Sequence, residues 1–237
     1  MEVGGGFVPM GFLVTQAPTF TLYGDGTVIF QQVDTRLNAF EKAYLPWLVG
    51  HLDEDAVQAL LDFALTTGRL ANARETYEEG MIADAPTTTF TLNAAGVEKN
   101  VSVYALSEMT QPGPDAADRQ GFSQLAEVLR TFDNQEELSE VKEYDPELYR
   151  VILMEAFGEP AAEPIDWPWD DVTLDDFAAG DEPGGIAHLD REHVAKLLEV
   201  PNGGHFGVWV LDPDGNAIQL GVRPLLPEEI EGFESVS

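Results

Sequence analysis

Phe206-Gly207-Val208-Trp209-Val210-Leu211-Asp212-Pro213-Asp214-Gly215-Asn216-Ala217-Ile218-Gln219-Leu220-Gly221-Val222 reads as one complete β-hairpin. Phe206, Val208 and Val210 alternate before the turn, and Ile218, Leu220 and Val222 alternate after it. Period-two spacing puts each apolar set on one sheet face. The intervening Asp212-Pro213-Asp214-Gly215-Asn216 supplies the glycine that a tight turn needs for its positive φ. The same pattern occurs twice more. Phe20 and Leu22 lead into Gly24-Asp25-Gly26, with Val28 and Phe30 beyond it. Phe90 and Leu92 precede Asn93-Ala94-Ala95-Gly96, with Val101 and Val103 on the return. Three hairpins predict about six antiparallel strands.

Segments with helical spacing fall between the hairpins. Asp53 can cap a helix carrying Val57, Leu60, Leu61, Ala64 and Leu65, with Gly68 where it should stop. After Gln111-Pro112-Gly113-Pro114, Asp115 or Asp118 can start a second, with Phe122, Leu125, Ala126, Leu129 and Phe132 on one stripe. A third is expected from Asp145-Pro146 through Leu148, Val151 and Ile152 to about Gly158, because proline suits the first helical position. A fourth runs from Asp190 through Val194, Leu197 and Leu198 until Pro201 forbids continuation. Strands in adjacent pairs, without single crossover strands, make the class α+β: antiparallel β-hairpins packed with about four helices.

Between Glu159 and Gly185, Pro160, Pro164, Pro168 and Pro183 punctuate a run that holds Trp167, Trp169 and nine acidic residues. The organisation expected is therefore a main α+β domain over 1–158, an irregular acidic Pro/Trp connector over 159–185, and a helix plus β-hairpin over 186–237. Whether the last belongs to the first domain stays open. Within the connector, Thr173-Leu174-Asp175-Asp176 has the form of a capping box with Asp in place of Glu, predicting a short helix through Ala179.

The 237 residues carry 12 Lys plus Arg against 43 Asp plus Glu, a formal net charge of −31. Hydrophobic content of 44%, with 13 Phe, 4 Trp and 6 Tyr, belongs to a folded domain, since disordered acidic chains are poor in aromatics. The charge is thus a surface property. Such a surface repels phosphate backbones and anionic headgroups, which argues against direct binding to nucleic acid or a membrane surface. It favours a cationic protein partner or a divalent cation, or serves solubility alone. Apolar runs such as Val151-Ile152-Leu153-Met154 fall far short of the ~18 residues that span a bilayer. Without cysteine there is no thiol catalysis and no cysteine metal site.

Several stretches together resemble uncharacterised secreted or lipid-anchored proteins of actinobacteria and their relatives. They are Gly4-Gly5-Gly6-Phe7-Val8-Pro9, Pro18 to Val28 around Thr21-Leu22-Tyr23-Gly24-Asp25-Gly26-Thr27-Val28, and Ala83-Asp84-Ala85-Pro86-Thr87-Thr88. Trp167-Pro168-Trp169 and the ending Arg223-Pro224-Leu225-Leu226-Pro227-Glu228-Glu229 complete the set. The resemblance implies export across the cytoplasmic membrane to a secreted or cell-surface location. Met1-Glu2-Val3 would then stand where a cleaved signal segment was removed. It implies no activity.

Candidate sites are few. Asp166, Asp170, Asp171, Asp175, Asp176, Asp181 and Glu182 gather seven carboxylates within 17 residues, which raise one another's pKa unless a cation neutralises them. Asp170, Asp171, Asp175 and Asp176 are the candidate calcium ligands, weighed against a solvated acidic loop. Trp167 and Trp169 are candidate binding platforms, weighed against plugs of a core. Asp212 to Asn216 has the spacing of calcium oxygens, but Arg223 stands where the bidentate Glu should be, so a plain turn is expected. His51, His188, His193 and His205 show no metal spacing and read as surface or cap residues. Neither a G-x-S-x-G elbow nor a Walker motif occurs, and no carboxylate pair is singled out by its context. The function expected is an exported, non-enzymatic binding or structural protein of the cell envelope or extracellular space. The alternatives are a calcium-dependent structural or adhesive module, and an inhibitor or hydrolase with an unrecognised site.

Overall fold

The computed structural model describes residues 1–7, 15–31, 47–78, 82–94, 96–107, 113–135, 137–156, 159, 163–179, 185–200 and 207–231. Among these residues are fourteen strands and four α-helices. The α+β class holds, but six strands were too few, since the hairpins are extended by strands that no glycine turn announces. The chain forms two compact units.

The first unit takes the described residues of Met1–Phe7, Ala17–Val33 and Pro46–Tyr144. In chain order its elements are β1 (Glu2–Gly5), β2 (Phe20–Leu22), β3 (Thr27–Gln31), β4 (Trp47–His51), α1 (Glu54–Leu65), β5 (Thr76–Tyr77), β6 (Pro86–Ala94), β7 (Val97–Tyr104), α2 (Ala116–Arg130) and β8 (Ser139–Glu143). They make two four-stranded sheets, β1-β6-β7-β5 and β2-β3-β4-β8. Two of the expected hairpins belong to them: β6–β7 at the centre of the first sheet, with Phe90 opposite Val101, and β2–β3 at one edge of the second, with Phe20 opposite Phe30. Phe20, Val28, Phe30, Phe90, Val101 and Val103 are buried, as the alternation requires, together with Val57 and Ala64 of α1 and Phe122, Leu125 and Leu129 of α2.

Local chemistry sets the helix ends. Asp53 accepts a hydrogen bond from the Ala56 N–H at 2.9 Å, and Gly68 N–H returns to Phe63 O at 2.8 Å to end the helix. Asp115 stands at the N-cap of α2, yet its carboxylate turns away to Arg74 at 2.7 Å and caps nothing. Arg119 on the first turns of α2 is buried, donating to Tyr77 O at 3.4 Å and Tyr104 O at 3.0 Å. It ties α2 to the ends of β5 and β7.

The second unit takes the described residues of Val8–Gln16 and Asp145–Ser237. Its elements are β9 (Tyr149–Glu155), β10 (Ile165–Asp166), β11 (Ala178–Ala179), β12 (Gly185–Leu189), α3 (Arg191–Leu198), β13 (Val208–Leu211), β14 (Ala217–Pro224) and α4 (Pro227–Glu231). One six-stranded sheet runs β10-β13-β14-β9-β12-β11. The helix expected over Asp145–Gly158 is not there: its described part is β9, a central strand flanked by β14 and β12. Val151-Ile152-Leu153-Met154 is apolar on both faces because both are largely covered, and such a run has no period that separates strand from helix. The last hairpin is β13–β14 as expected, with Val210 opposite Ile218 and Val208 opposite Leu220; Phe206 lies outside the described residues.

Tyr149, Val151, Ala187, Val208, Val210 and Leu220 form one face of this sheet and pack with Val194 and Leu197 of α3, Trp169, Val172 and Phe177. Thr173 and Asp176 make the expected capping box, but the turn is a single 3-10 turn over Leu174–Asp176, and β11 follows at once.

Gly121 tests how closely this packing is set. Alanine is favoured over glycine inside a helix by roughly 1 kcal/mol. A Cβ on Gly121, however, would lie 2.7 Å from the carbonyl oxygen of Thr67 and run into the Arg69 side chain. Overpacking of this kind costs about 1–3 kcal/mol, so Gly121→Ala should lower the denaturant midpoint, with unchanged slope. A raised midpoint would show that α2 has room at this position.

Candidate functional site

The β12–β9–β14 register places three basic residues side by side. His188 pairs with Arg150, and Arg150 pairs with Arg223. Alternation turns this row away from the Val151–Leu220 face, onto the face shared with Ile152, Met154 and Gln219. Side chains directly opposite on antiparallel strands stand about 4.5–5.5 Å apart at Cβ, where like charges repel. The Arg223 side chain is 6% exposed and that of Arg150 is 22% exposed. Two guanidinium groups are thus drawn together out of water.

One carboxylate answers them. After β14 the chain runs through Leu225 and Leu226, both fully buried, to Pro227 at the first position of α4. That anchors Glu229 over the row. Arg223 donates to it bidentately, Nη1 to Oε2 at 2.8 Å and Nη2 to Oε1 at 2.6 Å, and the Leu226 N–H adds a third bond at 2.9 Å. Burial alone would raise the Glu229 carboxyl, but the bonds from Arg223 and Leu226 outweigh it and hold the group below its ordinary value. Arg150 is served less well: its Nη2 lies 3.6 Å from Glu229 Oε1, beyond hydrogen-bond length. Arg150 Nε and Arg223 Nε are buried and find no acceptor among the described residues. Burial, then Arg223, depresses the Arg150 pKa; burial, then the two arginines, depresses that of His188. The arrangement is a two-arginine fork with a single carboxylate seated on one arm, suited to grip planar or tetrahedral oxyanions.

The residues singled out in the sequence sit elsewhere in this unit. Asp170, Asp171, Asp175 and Asp176 are exposed. Asp176 accepts from Thr173 N–H at 2.7 Å and Thr173 Oγ1 at 2.8 Å, which holds its carboxyl low. Asp171 instead faces His193, whose Nε2 lies 3.2 Å from Asp171 Oδ2 and whose Nδ1 lies 2.7 Å from Asp190 Oδ1. Among the described residues no three His, Asp or Glu side chains converge as metal ligands. Trp169 is buried and donates its indole N–H to His193 O at 2.9 Å; Trp167 is half-buried and donates to Val172 O at 2.8 Å. Their rings meet edge to face at 5.2 Å, with Phe177 alongside. In the Asp212 turn, Asp212 Oδ1 accepts from the N–H groups of Asp214 and Asn216, and Oδ2 accepts from Asn216 Nδ2. Those carboxylate oxygens fasten the turn.

His193 lies in the first turn of α3, half-buried, and the cap of that helix is Asp190. His188 does not read as surface or cap: it is a half-buried strand residue in the basic row. His205 lies outside the described residues. Arg150 and Arg223 carried no signal as a pair, because their adjacency is a matter of strand register. Comparison of the chain with models of protein families, with curated proteins and with solved structures finds no match.

The Asp190–His193–Asp171 bridge gives a pH signature. Hydrogen bonds to Asp190, then Asp171, raise His193 above its ordinary 6.5, and the same contacts lower both aspartates below 3.8. A raised histidine contributes stability below its unfolded pKa and loses it as pH rises through the folded one. The depressed carboxyls contribute above their unfolded pKa and lose it as pH falls through theirs. The bridge is therefore fully formed between the ordinary carboxyl and histidine values and fades on either side. Asp171→Asn should move the His193 midpoint, followed by NMR of the imidazole, back toward 6.5. An unchanged midpoint would mean that the contact does not hold in solution.

Proposed function

We propose that the chain is an exported, non-enzymatic binding protein acting at or outside the cell envelope, and that its carboxylate surface engages a cationic partner. One observation carries this reading. Of the ten described lysines and arginines, eight have their charged group hydrogen-bonded to a carboxylate or a backbone carbonyl of the same chain. Arg69, Arg74, Arg130, Arg191 and Arg223 sit on carboxylates; Lys99, Arg119 and Lys196 sit on carbonyls; Arg150 lies 3.6 Å from Glu229. The surplus of acidic side chains therefore has little positive charge to meet within the chain, and its field is directed outward.

Export is supported by the resemblance of the Gly4–Pro9, Thr21–Val28 and Arg223–Glu229 stretches to uncharacterised secreted and lipid-anchored proteins. Outside the cytoplasm, an anionic protein meets basic proteins and divalent cations as its natural counter-charges. Calcium would be a second positively charged ligand for the same carboxylates, including Asp170 and Asp175. A calcium titration at matched ionic strength separates the two, because a basic protein competes by charge and area while calcium needs converging oxygens.

Binding of a Lys/Arg-rich peptide, compared with a neutral peptide of equal length, tests the reading. Fluorescence anisotropy should show saturable binding of the basic peptide at an ionic strength of about 0.15 M, weakening steeply as salt shortens the screening length below roughly 8 Å. The neutral peptide should not bind. Absence of binding by the basic peptide at that ionic strength, or binding indifferent to salt, would overturn the proposal.

A further inference from the structure

We infer that the Arg150–Arg223–His188 row is a binding site for the oxyanion group of a small ligand, a carboxylate or a phosphate, with Glu229 seated on Arg223 and Arg150 left as the ligand's arm. The site is independent of the outer carboxylate surface and takes the opposite charge.

Four observations converge on it. The row is built from three strands at the middle of the six-stranded sheet, so its geometry is fixed by backbone pairing on both sides of Arg150. Arg223 already shows what the fork does with an oxyanion, since it holds the Glu229 carboxylate by two parallel bonds. Arg150 lies beside that pair with its nearest carboxylate oxygen at 3.6 Å and a buried Nε without an acceptor among the described residues. An ionised donor group left short of acceptors is costly, which a ligand oxygen reaching the exposed part of the guanidinium would relieve. Finally, the Arg150 side chain is 22% exposed, so an ion can reach it, whereas that of Arg223 is almost closed off at 6%.

Charge favours the same ligand class. With His188 neutral, two guanidinium groups face one carboxylate, leaving about one unit of positive charge in a chain whose net charge is −31. Arg is the residue suited to bidentate recognition of carboxylate and phosphate, where Lys acts only as a point charge. An anion diffusing toward this protein meets a repulsive field, so affinity must come from short-range geometry at the fork, and a weakly bound halide should gain little there.

The intact chain, titrated with sodium phosphate, sodium acetate and, at matched ionic strength, sodium chloride, tests the site. The readout is the arginine Nε–Hε signals in ¹H–¹⁵N NMR, with thermal unfolding in parallel. Phosphate or acetate should shift the Arg150 signal saturably while chloride does not, and whichever of the two binds more tightly names the ligand class. Arg150→Lys, which keeps the charge and loses the fork, should weaken binding about tenfold or more, and Arg150→Met should abolish it. Arg74→Lys, at an exposed pair with Asp115, serves as control and should change nothing. Equal shifts with chloride, no saturable shift with either oxyanion, or unchanged affinity in Arg150→Lys would each overturn the inference. Because Arg150→Met could lose the fold, the wild-type titration and the Lys variant carry the decision.

Discussion

Scarcity of positive charge is the constraint on which this structure turns. With 43 carboxylates and 12 Lys plus Arg, mutual repulsion opposes the compact state, so the few cations must be placed where one charge ties several elements. They are. Arg119 gathers the carbonyls at the ends of β5 and β7 onto α2. Arg69 and Arg74 reach from the segment after α1 to Asp118 and Asp115 at the start of α2. In the other unit, Arg191 at the start of α3 holds Asp145 and the Tyr149 hydroxyl at the start of β9. Lys196 fixes the carbonyl of Pro168 between the two tryptophans. Exposed ion pairs singly contribute little, but cations bound to carbonyls or shared between elements set the geometry of junctions that the apolar cores leave free.

That placement explains what in the sequence could be read. Hairpins and capped helices are local: a glycine turn, an alternation, Asp53 or Asp190 three residues ahead of an amide. These were legible because the signal and the structure share a few neighbouring residues. Strand β9 was not, because Asp145-Pro146 imitates a helix start and Val151-Ile152-Leu153 fits either period when both faces are covered. Strands β4 and β8 have no turn joining them, and every residue of β8 is exposed, so no alternation marks it. The two-residue strands β5, β10 and β11 are too short to carry a pattern at all.

The acidic connector shows the same division. Its capping box at Thr173 was readable, and the tryptophans could be weighed as plugs or platforms. What the sequence does not contain is where Asp171 points: toward a histidine on the next helix, whose ring Nε2 lies 3.2 Å from the Asp171 carboxylate. Asp181 and Glu182 lie outside the described residues; among the other five carboxylates of the run none joins a convergent ligand group, Asp176 serving the cap and Asp171 the histidine. The basic row is the converse case. Three residues far apart in the chain become neighbours only through the register of β12, β9 and β14, so no spacing rule could have found them.

The row also asks for a reason beyond stability. A buried ion pair is commonly no better than apolar packing, and replacing such groups by well-packed hydrophobic side chains is neutral or stabilising by about 1–4 kcal/mol. Arg223 with Glu229 is a bidentate pair that fastens α4 against the sheet, and that contact needs no second arginine. Arg150 adds like charge beside it, loses hydration, and gains from Glu229 only a contact at 3.6 Å. Leucine at this position, next to Ile152 and Met154 on the same face, would avoid all three costs. Stability thus accounts for Arg223 and Glu229, whereas the cost of Arg150 is offset only when an acceptor meets its guanidinium, and the oxyanion of a ligand meets it where the chain's own carboxylate falls short.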